Sequence, residues 1–384
     1  MKVLAGARIF DGERLLDDCA LTIEGDSIQA LTGFEDRPRG CQQQDLDGGI
    51  LAPGFIDWQI NGGGGVLFNA EPTVEGIATI AAAHRRDGVT GFLPTVITDA
   101  PRVLTQALAA ASEARKRVPG ALGIHVEGPY IDRRRKGVHR AEFIRPMLDS
   151  DAEALIGARA GVMVVTLAPA SVSLERIARL TRAGIVVSLG HSDASAEEAD
   201  SVFRAGARAV THLYNAMSQL SSRAPGVVGA ALADKRIICG LIPDGEHAHP
   251  AAYRAAIAAK GAHGLALVSD AMPPAAGGPD VFELQGRRMT RVGNKLVAED
   301  GTLAGAAITM RDAVDYVVNM LETPLVEALM MATLTPARLL GVSDRIGRIA
   351  PGLRADLVHL TDDLRVAEVW AGGRRLAEIE AAAS

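Results

Sequence analysis

The chain has 384 residues, 48% hydrophobic and 22% charged, with a formal net charge of −6 and a pI near 5.9. That length suits one large domain plus a smaller one. The acidic balance argues against a broad nucleic-acid face, although single arginines can still meet an anionic small molecule. Cys19, Cys41 and Cys239 are odd in number and far apart, which speaks against a disulfide framework and for a reducing compartment.

In chain order, residues 1–48 read as short strands with turns ("VLAGARIFDG", "CALTIEGDSIQAL"). Arg8, Asp11 and Glu13 cut the first apolar run short, so no signal peptide is expected. From Leu51 a unit recurs: a short β-rich run, a polar or Gly-rich tip, then an Ala-rich helical stretch. The runs are "LAPGFIDWQI", "VTGFLPTVIT", "ALGIHVEG", "GVMVVTLAP", "GIVVSLGHSD", "ARAVTHLYN", "IICGLIPDG" and "GLALVSDAM". Helical segments such as "EGIATIAAAHRRDG" and "SLERIARLTRAG" end at a Gly, where a left-handed residue stops a helix. Near-continuous apolar strands alternating with helices imply a parallel sheet covered on both faces. Eight such units predict a (β/α)8 barrel, a TIM-like fold, over 49–343. A doubly wound open sheet is the structural rival. Between Pro279 and Leu303 a hairpin-like piece is expected, turning at Gly293-Asn294. The tail, 344–384, again reads as short strands, and is expected to pair with 1–48 into one small β-sandwich domain. No run approaches the ~18–20 apolar residues of a membrane helix. The expectation is a soluble cytoplasmic protein with no membrane or nucleic-acid partner.

Polar residues gather at the C-terminal ends of these runs, the face on which barrel active sites lie. Gln59 and Asn61 end the first run, and strand alternation aims both the same way. His125 and Glu127 end the third, His191 the fifth and His212 the sixth; Asp244 and His247 follow the seventh, and Asp270 ends the eighth. His84, His263 and His359 are read as structural. Glu127, His191 and His212 each close an apolar run, where an unpaired carboxylate or imidazole is costly. One carboxylate with two imidazoles is a ligand set of catalytic zinc; a hydrogen-bonded polar cluster is the alternative. Asp270 reads either as a helix N-cap or as a general base beside a cation.

The motifs "PGFIDWQING", "HVEGPY", "KGVH", "SLGHSDA", "THLYNAM", "PDGEH" and "VSDAM" occur in order over 53–272, and "GRIAPGLRADLV" follows in the tail. Together they resemble the N-acetylglucosamine-6-phosphate deacetylase family of the amidohydrolase superfamily, over nearly the whole chain. The resemblance implies metal-dependent hydrolysis of the N-acetyl group of an amino-sugar phosphate. It implies that Glu127, His191 and His212 hold the metal and that Asp270 is the catalytic acid/base. Many superfamily members carry His-x-His where this chain has Gln59 and Asn61, so the second-metal position is expected to be vacant and one divalent ion bound. Zn²⁺ is expected first, with Fe²⁺, Co²⁺ or Mn²⁺ also compatible.

By the same resemblance His139 and His247 contact substrate, and Asn215 and Ala216 line the sugar-phosphate pocket. Val138, Leu303, Ala304 and Gly305 fall at further substrate contacts. Arg223 matches a phosphate-binding arginine that reaches across from a neighbouring subunit, implying a homodimer. Three stretches depart from the family: "RAEF" follows "KGVH" where Asn-Pro is common; "DRRRKG" is unusually basic, either adding attraction for phosphate or, as the preferred reading, forming a solvated loop face; and "NAMSQLSSR" differs from the usual Pro-containing version. The galacto epimer of the substrate is the near alternative. A two-metal cyclic-amide hydrolase would need His-x-His at 59 and 61. A non-catalytic scaffold should have lost some of Glu127, His191, His212 and Asp270, and all four are present.

Overall fold

The computed structural model describes residues 1–381; the end of the expected tail segment, residues 382–384, lies outside the described residues. Eight parallel strands run in chain order around one sheet. They are β1 (Phe55–Ile60), β2 (Val89–Ile97), β3 (Gly123–Glu127), β4 (Val162–Leu167), β5 (Val186–Leu189), β6 (Ala209–Val210), β7 (Ile238–Leu241) and β8 (Leu265–Leu267). Each of the eight apolar runs supplies one strand. The open-sheet rival fails because every strand pairs with the next in sequence, with no switch of direction in strand order. The barrel is nearly closed. Its seam between β8 and β1 is carried by a parallel bridge of Ile60 with Ala271, not by a full ladder.

The helices that follow the strands are α1 (Val74–Arg85), α2 (Pro101–Arg117), α3 (Asp149–Gly157), α4 (Leu174–Arg182), α5 (Ala196–Arg204), α6 (Gly226–Ala233), α7 (Pro250–Lys260) and α8 (Met310–Asn319). Local chemistry sets their starts. Thr73 Oγ1 accepts from the Gly76 N–H at 3.0 Å, and Ser195 with Glu198 forms a reciprocal cap on α5. Inside the barrel, fully buried Trp58 fills the space left by Gly240, where an added Cβ would lie 2.9 Å from the indole.

Two further sheets come from the termini. One pairs Ser27–Gly33, Cys19–Glu24, Lys2–Ala5 and Gln42–Asp45; the other runs Arg374–Arg375, Val366–Ala371, Leu357–Leu360, Ile50–Pro53, Arg8–Phe10 and Leu15–Leu16. Leu4, Ile9, Leu21, Ile23, Leu51, Leu357 and Trp370 pack together in one buried cluster of this small domain. Its second sheet therefore takes in Ile50–Pro53, beyond residue 48. The piece after β8 is a four-stranded meander, not a single hairpin: Val281–Leu284, Arg287–Val292, Lys295–Ala298 and Leu303–Ala306. Gly293 and Asn294 do form its central turn, with Val292 opposite Lys295 and Gly293 at φ +65°. Among the described residues no helix is long and apolar enough to cross a membrane.

Candidate active site at the carboxyl ends of the barrel strands

The barrel brings the strand-end residues to one pocket of about 380 Å³. It is lined by Asn61, Glu127, His139, His191, His212, His247 and Asp270, together with Val138, Asn215, Ala216, Leu303 and Gly305. Gln59 lies beneath this layer, wholly buried. Ala304 is buried in the apolar cluster under the meander and is not part of the pocket wall. Arg223 is exposed on the loop after β6 and does not line the pocket of its own chain.

Three ligand atoms converge at the centre. Glu127 Oε1 lies 3.2 Å from His191 Nε2 and 3.1 Å from His212 Nε2, and the two Nε2 atoms are 3.1 Å apart. His191 Nδ1 faces the Arg135 carbonyl at 2.9 Å, which puts its hydrogen there and leaves the Nε2 lone pair facing inward. Nitrogens this close, around one carboxylate oxygen, need a cation between them or a shared proton. The donor set therefore fits a divalent metal. A wider triangle of Glu127, His139 and His191 keeps its ligand atoms within 4.8 Å. The triangle with His212 is tighter.

Electrostatics follow the geometry. Burial works to raise the Glu127 pKa, but hydrogen bonds and charge from His191 and His212 hold it well below the usual carboxylate range. Burial works to lower the His212 pKa, and its contacts with Glu127 raise it. Burial and the neighbouring His191 push the His139 pKa well down. Asp270 is pushed up to about 6, first by burial and then by the Glu127 charge, against the pull of His212, His247 and the Asn61 amide.

The side-chain amides of Gln59 and Asn61 both bind this carboxylate. Asn61 Nδ2 donates to Asp270 Oδ1 at 2.6 Å, and Gln59 Nε2 donates to the same oxygen at 3.1 Å and to Glu127 Oε1 at 3.3 Å. The Thr211 hydroxyl donates to Gln59 Oε1 at 2.7 Å. Beyond Asn61, the Gly64 and Gly65 turn takes φ +58° and +87°, a pair that favours glycine at both positions. It folds Gly62–Gly63 back onto Val66–Leu67. Among the described residues the Asp270 side chain caps no helix start; it accepts from these two amides.

The backbone is strained where the side chains matter. His191, His212 and Asp270 all sit at positive φ, +45°, +22° and +48°, each just past a strand end. Non-glycine residues in this region cost energy and persist where the surroundings over-determine them.

Several partners escaped the sequence reading. The basic segment is more than a solvated face, because Arg134 and Arg135 join the pocket wall. Asp193 anchors both guanidiniums, at 3.3 and 2.7 Å. Thr98 Oγ1 holds His139 Nδ1 at 2.7 Å, and Asp244 Oδ2 holds His247 Nδ1 at 2.6 Å. The run of arginines and Asp244, already placed after the seventh run, offered a signal; Thr98 and Asp193 offered none. His125 is not part of the cluster at the pocket: it sits between the Thr95 and Thr166 hydroxyls, and burial lowers its pKa to about 4. His84 and His359 bond backbone carbonyls of Gly62 and Gly48, and His263 meets Arg338, as structural histidines do.

Residues 50–376 match the Amidohydrolase family, and residues 1–51 match the NagA composite domain. An N-acetylgalactosamine-6-phosphate deacetylase of Shewanella sp. (strain ANA-3) is 40% identical over 100% of this chain and 98% of its own. An N-acetylglucosamine-6-phosphate deacetylase of Haemophilus influenzae is 37% identical over 94% and 95%. The crystal structure of N-acetylglucosamine-6-phosphate deacetylase from Pasteurella multocida superimposes with a TM-score of 0.95 at 36% identity, covering 97% of this chain and 99% of that one. The chain belongs to the amidohydrolase family and, within it, to the N-acetylglucosamine-6-phosphate deacetylases and their N-acetylgalactosamine counterparts.

Proposed function

We propose that the protein hydrolyses the N-acetyl group of N-acetylglucosamine 6-phosphate, releasing acetate and glucosamine 6-phosphate in amino-sugar catabolism. The observation that carries this reading is the convergence of Glu127, His191 and His212 within 3.1–3.2 Å beside an amide-held Asp270. Those three residues would hold one divalent ion, Zn²⁺ first by donor set, with Fe²⁺, Co²⁺ or Mn²⁺ also suited. Such an ion, when bound, supplies Lewis acidity to the acyl carbonyl and lowers the pKa of water to about 7.

Asp270 accepts a proton from the attacking water and returns it to the sugar nitrogen as the C–N bond breaks. Its raised pKa suits both halves of that task, because a base near neutrality also gives the proton back. His139 and His247, oriented by Thr98 and Asp244, contact the substrate, and one of them braces the carbonyl oxygen as charge develops. Asn215, Ala216, Val138, Leu303 and Gly305 surround the sugar phosphate, and buried Ala304 supports their segment from behind. Arg223 serves the pocket of a partner subunit in a homodimer, a role supported by its exposure and its absence from the lining of its own pocket. The working compartment is the cytoplasm.

The galacto epimer is the second reading, favoured by the Shewanella relative. The test is kcat/KM for acetate release from N-acetylglucosamine 6-phosphate, N-acetylgalactosamine 6-phosphate and unphosphorylated N-acetylglucosamine. A large preference for the gluco phosphate supports the proposal. Preference for the galacto phosphate moves the reading to the epimer, and equal or absent activity on all three moves the substrate to another acyl amide.

A further inference from the structure

The two amides in the second-metal position are not equivalent. Gln59 is wholly buried and spends all its capacity inside the protein: its Nε2 donates to Asp270 and Glu127, and its Oε1 accepts from Thr211. Asn61 lines the pocket at 1% exposure and uses only half of its amide. Its Nδ2 donates to Asp270, while its buried Oδ1 has no hydrogen-bond partner among the described residues. The orientation of that amide follows from charge. An ionised Asp270 oxygen 2.6 Å away requires a donor, so the carbonyl end must face elsewhere. A buried acceptor left unpaired is costly, and this one stands beside the carboxylate that handles the leaving nitrogen.

We infer that Asn61 orients the scissile bond by accepting, at Oδ1, the N–H of the substrate's secondary amide, and so selects N-acyl over O-acyl substrates. The inference rests on the deacetylase reading above. With its hydrogen held by Asn61, the amide nitrogen presents its other side to Asp270, which Asn61 itself positions through Nδ2. Water oxygen then bonds to the acyl carbon and one water proton passes to Asp270. The C–N bond breaks with its electron pair on nitrogen, and Asp270 delivers the proton to that pair. Asn61 neither gains nor loses a proton. Gln59 is a support for the carboxylates and does not touch the substrate.

The test compares kcat/KM on N-acetylglucosamine 6-phosphate with that on its ester isostere, 2-O-acetylglucose 6-phosphate, for the wild type, Asn61→Leu and Asn61→Asp. Any effect exerted through Asp270 falls on both substrates and cancels in the amide-to-ester ratio. Asn61→Leu is expected to lower that ratio about tenfold or more, the loss of one buried hydrogen bond. Asn61→Asp keeps an acceptor oxygen and is expected to retain the wild-type ratio even if both rates fall. Equal losses on the two substrates in Asn61→Leu, or a ratio in Asn61→Asp as low as in Asn61→Leu, would overturn the inference. If Asn61→Leu does not fold, Asn61→Ala serves the same comparison. Absence of amide hydrolysis by the wild type sinks the deacetylase reading itself, and that is seen before any variant is made.

Discussion

Asp57 staples the barrel seam, and its removal tests the fold and its electrostatics together. The side chain is completely buried on β1, where it accepts from the Gln59 N–H at 3.2 Å and from the Ser269 N–H at 3.3 and 3.4 Å. The Ser269 hydroxyl also donates to it. Ser269 follows β8, so one carboxylate ties the last strand to the first. Burial pushes its pKa from 3.8 up to about 7, outweighing these hydrogen bonds, with the Asp270 charge adding a little. Between those two values the folded state binds more protons than the unfolded state, so stability falls as pH rises. At 1.36 kcal/mol per unit, the full penalty is about 4 kcal/mol, of which about 2.5 kcal/mol develops between about pH 5 and about pH 8.

Asp57→Asn removes the titration and keeps the shape. The amide oxygen can accept from the two backbone N–H groups, and the Ser269 hydroxyl can turn to accept from the amide NH₂. Urea unfolding followed by circular dichroism, with a chelator present, gives the stability of each protein across this range. The difference between the two proteins should grow in favour of the Asp57→Asn variant as pH rises. A difference that stays flat with pH, or one that shrinks, would refute the burial argument.

Three other outcomes follow from the same geometry. Gln59→Leu removes one of two amides that stabilise ionised Asp270, so the Asp270 pKa should rise by about one unit. Because the base form is needed, the acid limb of the kcat/KM profile should move to higher pH; a limb that stays put would show that Gln59 does not support this carboxylate. Glu127→Gln removes the one carboxylate charge of the triangle and should lower divalent-metal content after dialysis, read by elemental analysis, without loss of the folded circular dichroism signal. Unchanged stoichiometry would exclude Glu127 as a ligand. Gly240→Ala places a Cβ 2.9 Å from the Trp58 ring and should cost about 1–3 kcal/mol, seen as a lower melting temperature. A melting temperature equal to the wild type would mean that the barrel interior relaxes around the methyl group.

Much of this architecture is written in local pattern. The eight apolar runs, the Gly stops after helices and the polar residue at each run's end are all short-range features, and burial on both faces of a parallel sheet demands them. Period-two alternation is enough to place Gln59 and Asn61 on one side, and both do reach the same Asp270 oxygen. The separation between Glu127, His191 and His212 along the chain is bridged by strand order, so their meeting is legible once eight units are counted.

What the sequence could not contain is which atoms are left over after everything has met. That Gln59 is fully used and Asn61 only half used depends on Thr211 arriving from the end of β6, 152 positions away. The arginines after β3 turn into the pocket because Asp193, beyond β5, holds them there. The positive φ of His191, His212 and Asp270 has no mark in composition, since strain is tolerated only where the assembled barrel over-determines the backbone. Local pattern decided the strands, the helices and the residues at their ends. Tertiary packing alone decided which of those residues remain free to meet a substrate, because hydrogen-bond satisfaction is a property of the whole assembled site.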